Sequence, residues 1–178
     1  MRVILYISMS LDGYIADKHG QVSWIMGNDP TYDGDVGYQA FIKNIDTIVM
    51  GRKTYQQITE ELSPDVWVYP DQITYVITHH PKKDTKQVRF TQENPQALIQ
   101  RLKKEAAKDI WICGGASVIE PLIKSHLIDE YQICIVPQVL GNGIALFNDF
   151  PVSLKLTHVQ EENGFILCTY LPKEVCTQ

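Results

Sequence analysis

The sequence has no apolar run approaching the ~20 residues that a membrane-crossing helix needs, which excludes a helical spanning protein. It also has no surplus of positive charge. Sixteen Lys and Arg against twenty-one Asp and Glu leave a net charge of −5 and a pI near 5.5, so a broad phosphate-backbone footprint, and with it a nucleic-acid partner, is not expected. Cysteine is scarce: Cys113, Cys134, Cys168 and Cys176 stand far apart, without a CxxC pair or a His-rich partner segment. That pattern argues against a metal site and a disulfide scaffold and for a reducing, cytoplasmic compartment. There is no repeat, no low-complexity tract and no Gly/Ser-rich linker, so residues 1–178 read as a single domain. Arg2 followed by Val3 to Leu11 has the outline of a signal peptide. Ser8 and Ser10 interrupt it, however, and Asp12-Gly13 closes it without a small-x-small cleavage pattern. A buried first strand fits better.

What the chain does have is a succession of β-branched and aromatic runs bounded by turn residues: Val3–Ser8, Thr47–Met50, Thr74–Thr78, Val88–Thr91, Ile110–Cys113, Tyr131–Val136, Leu154–Gln160 and Phe165–Leu171. Helical patterns separate the earlier runs. Asp35–Ile45 sets Val36, Ala40, Phe41 and Ile45 near one face. Asn94-Pro95 opens a helix whose buried stripe is Leu98, Leu102 and Ala106; Ser117–Leu127 forms another, and Lys53–Glu61 a short one. Such alternation implies crossover units and a mostly parallel sheet. The last two runs flank Glu161-Glu162-Asn163-Gly164, and Asn-Gly is a strong hairpin signal. The expectation is an α/β fold with a mixed sheet and an antiparallel C-terminal edge.

Three segments follow predicted strands, where open α/β sheets bind ligands. In Met50-Gly51-Arg52-Lys53-Thr54-Tyr55, Gly51 permits a tight turn and two cations stand at a helix start; a solvated helix start is the plain alternative. In Ile112-Cys113-Gly114-Gly115-Ala116-Ser117-Val118, two glycines let the backbone approach a pyrophosphate, although a simple strand–helix turn has the same look. Thr78-His79-His80-Pro81-Lys82-Lys83 is a cationic patch in an acidic protein, suited to an extra phosphate or merely solvated. Three anion-compatible strand ends together are what a dinucleotide needs. Cys113 at a helix start is also a candidate thiolate nucleophile, a weaker rival because no base stands beside it in sequence.

The glycine motifs at 50–55 and 112–118 resemble the two cofactor motifs of dihydrofolate reductases. Ser8-x-Ser10-Leu11-Asp12-Gly13-Tyr14-Ile15-Ala16 and Pro137-Gln138-Val139-Leu140-Gly141-Asn142-Gly143 are more similar to the reductase domain of bacterial riboflavin biosynthesis. The likeness spans nearly the whole chain, in the family's order. It implies a dihydrofolate reductase-like three-layer α/β fold with an eight-stranded, mostly parallel sheet, and an NADPH-dependent reductase of the 5-amino-6-(5-phosphoribosylamino)uracil type, standing alone without the deaminase signature. By that likeness Gly51, Arg52, Lys53 and Thr54 meet cofactor phosphates, and Thr78 and His79 lie near the 2′-phosphate. Gly114, Gly115, Ala116, Ser117 and Val118 hold the pyrophosphate, while Ser8, Ile15 and Ala16 border the nicotinamide. Trp24 and the helix carrying Asp35, Gln39 and Ile42 line the substrate side, with Cys113 where the family usually has an acid. Asp12 is either a turn residue or a substrate contact.

Asp35 is the preferred proton donor or substrate anchor, Asp33 its competitor, and helix capping the plain alternative for either. A dihydrofolate reductase activity and a nucleotide-binding protein without catalysis remain as alternatives. The apolar content of Val136–Phe150 (Val139, Leu140, Ile144, Leu146, Phe147), with the pairing that the likeness implies, points to a homodimer; a loop folded onto its own sheet is the other reading. Dihydrofolate reductases place an arginine before the third strand to clamp the substrate's glutamate tail, and Tyr69-Pro70-Asp71-Gln72-Ile73 has none. Dihydrofolate is therefore expected to be turned over with kcat/KM well below ~10⁶ M⁻¹s⁻¹ in steady-state assays with NADPH, outside the range of a native substrate.

Overall fold

The computed structural model describes residues 1–148 and 150–173. The elements run β1 (Val3–Ser10), β2 (Tyr14–Asp17), α1 (Tyr38–Ile42), β3 (Ile45–Gly51), α2 (Arg52–Gln57) with a π-helical turn at Ile58–Leu62, and β4 (Ile73–Ile77). They continue with β5 (Val88–Thr91), α3 (Pro95–Glu105), β6 (Asp109–Gly114), α4 (Ala116–Lys124), β7 (Glu130–Val136), β8 (Gly143–Ala145), β9 (Leu154–Glu162) and β10 (Phe165–Pro172). Eight strands form one sheet in the order β5-β4-β3-β6-β1-β7-β10-β9. The first six are parallel, and β10 and β9 close the edge antiparallel. Each of the eight apolar runs in the sequence is one of these strands. The mixed α/β fold expected above is the one observed.

Period-two alternation along the strands sends side chains to two covered faces. On one, Leu98, Ile99 and Leu102 of α3 and Val118, Ile119, Leu122 and Ile123 of α4 pack on Val3, Leu5, Val49, Ile110 and Ile112. On the other, Ile4, Ile48, Met50, Val76 and Trp111 meet Phe41 of α1 and Ile58. Local chemistry fixes the helix ends: Asn94 Oδ1 accepts from Ala97 N at 2.8 Å with Pro95 in the first turn, and Lys103 and Lys104 occupy the last turn of α3.

Two expectations need correction. The helix expected over Asp35–Ile45 is confined to Tyr38–Ile42, because Val36 (φ 48°) and Gly37 (φ 82°) are both left-handed and cannot propagate a helix. Ile45, assigned to the helical stripe, instead begins β3 and is buried there. A second, two-stranded sheet of β2 and β8 was not anticipated; strands of four and three residues carry too few alternations to register as a pattern.

The β9–β10 hairpin turns through Asn163 (φ 53°) and Gly164 (φ 79°), as Asn-Gly in a two-residue turn requires. Its tip does more than reverse the chain. Asn163 Oδ1 accepts from Asp29 N at 2.9 Å, its Nδ2 donates to Asp29 O at 3.1 Å, and its carbonyl accepts from Asn28 N at 2.9 Å. Tyr32 hydrogen-bonds Glu162 beside them. A Cβ on Gly27 would lie 2.3 Å from the Asn163 side chain, so the two segments meet backbone to backbone. Asn163→Gly keeps the turn conformation and removes both side-chain bonds to Asp29. It should lower stability by about 1–2 kcal/mol in urea denaturation and raise amide exchange over residues 28–37 while leaving α3 and α4 protected.

Candidate active site

The parallel strands β1, β3, β4, β6 and β7 present their C-terminal ends to one edge of the sheet. There β3 and β6 bring the two glycine motifs together. Met50 pairs with Gly114 across a register shift. A Cβ on Gly51 would stand 3.4 Å from Val118 Cγ2, and Cβ atoms on Gly114 and Gly115 would stand 3.7 and 3.5 Å from Thr54 Oγ1. Gly114 has φ 138° and its peptide bond to Gly115 is cis. Thr54 and Val118 thus face a strip of bare backbone, with Ala116 and the exposed Ser117 opening α4 directly behind Gly115.

Next to this cradle, Arg52, Tyr55, Gln56, Thr78, His80, Lys82 and Phe90 enclose a pocket of about 90 Å³. Arg52 and Thr78, far apart in sequence, share its wall. Thr78 is buried, and its Oγ1 accepts from His80 N at 3.1 Å. His80 and Lys82, in the loop that this bond begins, line the same pocket. His79 is exposed, with its carbonyl accepting from Gln92 Nε2, and does not line the pocket. Lys53 is exposed on the same helical turn as Arg52.

Between β1 and β6 the sheet opens. Their pairing ends at Leu5–Ile112, while β1 continues along β7 as far as Ser10–Val136. The Tyr6 carbonyl, left without a strand partner toward β6, accepts from Trp111 Nε1 at 2.9 Å. Beyond that point Tyr6, Ser8 and Cys113 flank the gap and the two glycines stand at its end. Ser8 lies level with Cys134. Aromatic rings pack beside the gap, of which sequence reasoning had placed only Phe41, on a helical face: Tyr6 stacks on Phe41 at 4.3 Å between centroids, and Tyr38 and Tyr69 stand edge-on to Trp111 at 6.0 and 5.3 Å. No local signal brings these five aromatics together, since they come from β1, α1, β6 and the segment before β4.

Burial pushes the Cys113 thiol up to about 12. Desolvation dominates, with a hydrogen bond to Tyr69 acting weakly the other way, so the thiol stays protonated at neutral pH. The thiolate nucleophile considered from the sequence is thereby removed. Burial likewise holds Tyr38 protonated, at about 12, and raises Tyr6 and Tyr69 further.

Asp35 is exposed at the head of α1, where Oδ1 accepts from Gly37 N at 2.9 Å and Oδ2 from Gln39 N at 2.7 Å. It caps the helix, and its charge acts on the Tyr6 and Tyr32 hydroxyls. Val36 beside it is buried against Tyr6, Cys134 and Leu167, which holds a β-branched residue in the left-handed region. Gln39 is exposed on α1, and Trp24 is half-buried, donating to Gln21 O at 3.0 Å. Asp12 is committed elsewhere: it accepts from Ser10 Oγ at 2.7 Å, Leu140 N at 3.1 Å and Gly141 N at 2.7 Å, which hold its carboxyl below the usual range and tie the loop after β1 to the loop after β7. Ala16 is buried opposite Ile144 in the small sheet, and Ile15 packs on the α3–α4 core.

A family model described as the RibD C-terminal domain matches residues 1–164. The chain belongs to the RibD C-terminal domain family, riboflavin-pathway reductase-like domains. Within it, the chain is 38% identical over 156 residues to the uncharacterized protein YwjB of Bacillus subtilis (strain 168), over 87% of each. A candidate riboflavin biosynthesis protein of Shewanella sp. PV-4 superposes with a TM-score of 0.83 at 28% identity, over 98% of this chain and 100% of that one. The Thermotoga maritima diaminohydroxyphosphoribosylaminopyrimidine deaminase/5-amino-6-(5-phosphoribosylamino)uracil reductase shares the fold at a TM-score of 0.68 and 15% identity, with 97% of this chain matching 56% of that one. The RibD-type sheet, hairpin edge included, is the fold that the sequence resemblance implied.

Native Cys113 should react with iodoacetamide at pH 7.5 at least roughly a hundredfold more slowly than in urea, since burial leaves little thiolate. Peptide mapping by mass spectrometry separates it from the free thiols of Cys134 and Cys168 and from Cys176, which lies outside the described residues.

Proposed function

We propose that the chain is an NADPH-dependent reductase that delivers hydride to a small heterocyclic substrate. The observation that carries this reading is the contiguity of three features along one sheet edge: the bare Gly51/Gly114/Gly115 backbone, the Arg52–Thr78–His80–Lys82 pocket, and the gap between β1 and β6 walled by aromatics. Their order matches an extended dinucleotide. The donors fit the group, since a pocket with an arginine, a lysine, a histidine and a buried threonine suits a dianionic 2′-phosphate, and glycine backbone leaves room for a pyrophosphate at the start of α4.

When bound, the nicotinamide supplies the hydride. The protein's own groups do the rest. Ser8, Ile15 and Ala16 border the gap, and the Tyr6, Tyr38, Phe41 and Trp111 rings exclude water from it. Asp35, fixed by two backbone N–H groups, anchors the substrate or relays its proton, with Trp24, Gln39 and Cys113 as further contacts and Asp12 as the latch of the covering loop. We place the enzyme in the cytoplasm on its dispersed free thiols; among the described residues no helix is long and apolar enough to cross a membrane.

The same reading includes a homodimer. Leu146 is buried and Phe147 packs on the core, so part of the 136–150 segment folds back on its own sheet. Leu11 (65% exposed), Val139 (66%) and Ile144 (37%) remain outside, and Leu11 N donates at 2.8 Å to the carbonyl of Gln138, the residue before Val139. Sedimentation at micromolar concentration should give twice the 20.3 kDa chain mass, and Val139→Asp should shift it to the monomer.

For the cofactor, fluorescence titration should show NADPH binding more tightly than NADH. Arg52→Ala should lose about 1.5–3 kcal/mol for NADPH, roughly ten- to a hundredfold, with NADH affinity nearly unchanged. Equal binding of both cofactors by the wild type would sink the assignment.

A further inference from the structure

Asparagine precedes glycine twice in the chain, at Asn142-Gly143 and Asn163-Gly164, and the two pairs are held differently. At the hairpin tip, Asn163 Oδ1 accepts from Asp29 N at 2.9 Å and its Nδ2 donates to Asp29 O at 3.1 Å, while Gly164 N donates to Glu161 Oε1 at 2.9 Å. The side-chain amide and the main-chain nitrogen that follows it are both committed. Asn142 is exposed, and its side chain makes no hydrogen bond among the described residues. Gly143 opens β8, a strand of three residues paired only with β2. The end of so short a strand opens readily. Glycine is required at that point, since a Cβ would lie 2.3 Å from the Ala16 carbonyl oxygen. Just before this pair, Leu140 N and Gly141 N donate to the Asp12 carboxylate at 3.1 and 2.7 Å.

We propose that Asn142 is a site of spontaneous deamidation through a succinimide, and that its conversion to isoaspartate releases the loop after β7 from Asp12, while the fold holds Asn163 inert. The inference stands apart from the reductase reading. Gly143 N, losing its proton, attacks Asn142 Cγ. The N–Cγ bond forms, the Cγ–Nδ2 bond breaks, and the side-chain nitrogen leaves as ammonia with that proton. Water then opens the ring, its hydroxyl going to a carbonyl carbon and its hydrogen to the ring nitrogen. Opening at the former main-chain carbonyl gives isoaspartate, and opening at the former side-chain carbonyl gives aspartate. No electrons are gained or lost. The absence of a Cβ on the glycine leaves its nitrogen free to approach. At Asn163 the same attack requires three hydrogen bonds to open first. Isoaspartate adds one carbon to the main chain between Gly141 and Gly143, which shifts β8 against its partners on β2. It also sets a new carboxylate beside the two N–H groups that hold Asp12, where like charges repel.

The test uses the full chain in its native assembly. It is incubated for weeks at mildly alkaline pH, with a parallel sample in urea, and both Asn-Gly peptides are quantified by mass spectrometry with isoaspartate scored by methyltransferase labelling. In the native chain Asn142 should convert at least ~tenfold faster than Asn163. In urea the two rates should come within ~threefold of each other, because unfolding removes the hydrogen bonds that distinguish them. Hydrogen exchange on the converted fraction should be at least ~tenfold faster over residues 11–17 and 137–146, with α3 and α4 as protected as in fresh protein. Asn142→Gln, whose longer side chain closes a larger ring far more slowly, should pass through the same incubation unmodified and keep its slow exchange. The proposal is overturned if Asn163 converts as fast as Asn142 in the native chain, or if native Asn142 stays intact while the urea sample converts. Exchange over residues 11–17 that matches fresh protein after conversion, or that rises equally in aged Asn142→Gln, overturns it as well. The wild-type time course decides the first two outcomes without any variant.

Discussion

Everything at the cleft depends on two neighbouring parallel strands ending where side chains are missing. β3 and β6 run side by side to Gly51 and Gly114, and the absence of Cβ atoms lets the turns into α2 and α4 approach each other with only Thr54 and Val118 between them. A larger residue at Gly114 would have to adopt φ 138° and stand against Thr54. The large residues that surround this bare strip, Met50, Ile112 and Val118, are fully buried. The sheet therefore carries tight packing directly beside backbone that bears no side chains, and a rigid floor of that kind is what positions a ligand.

The second determinant is the early parting of β1 from β6. A parallel pair that continued to the ends of both strands would place ladder hydrogen bonds where the gap now lies. Here three paired positions suffice, and the first carbonyl beyond them is satisfied by the Trp111 indole rather than by backbone. The same tryptophan is a hub of the aromatic wall, packed against Tyr6, Phe41, Tyr38 and Tyr69. One side chain thus closes the ladder and centres the aromatic cluster.

How much of this was readable beforehand follows from the range of the interactions concerned. Strands of the main sheet announced themselves because alternation, β-branching and turn residues are properties of a few adjacent positions; Asn163-Gly164 did so for the same reason. The glycine pairs were readable as local turns, and their convergence came only with the family resemblance. The α1 boundary was missed because left-handed Val36 is stabilised by burial against Tyr6, Cys134 and Leu167, none of which is near it in sequence. The aromatic wall and the anchoring of residues 28–32 by the hairpin were unreadable on the same ground, since the bonds to Asn163 span 134 positions. His80 could have been separated from His79 by one local feature: a threonine two residues earlier whose hydroxyl can bond its backbone N–H.

That long-range anchoring imposes an order on synthesis. The elements of the glycine cradle, β3, β4, β6 and the start of α4, are all synthesised once residue 118 has left the ribosome. The segment bearing Asp33 and Asp35 was made eighty residues earlier, yet it gains its docking surface only when the β9–β10 turn at 163–164 emerges. At the usual translation rate of ~5–20 residues per second, a nascent chain spends several seconds with the cradle's residues synthesised and the loop at 28–32 without its Asn163 anchor. The last hairpin made is the one that holds the loop between β2 and α1 in place, so the β9–β10 hairpin is a late folding step as well as a sheet edge.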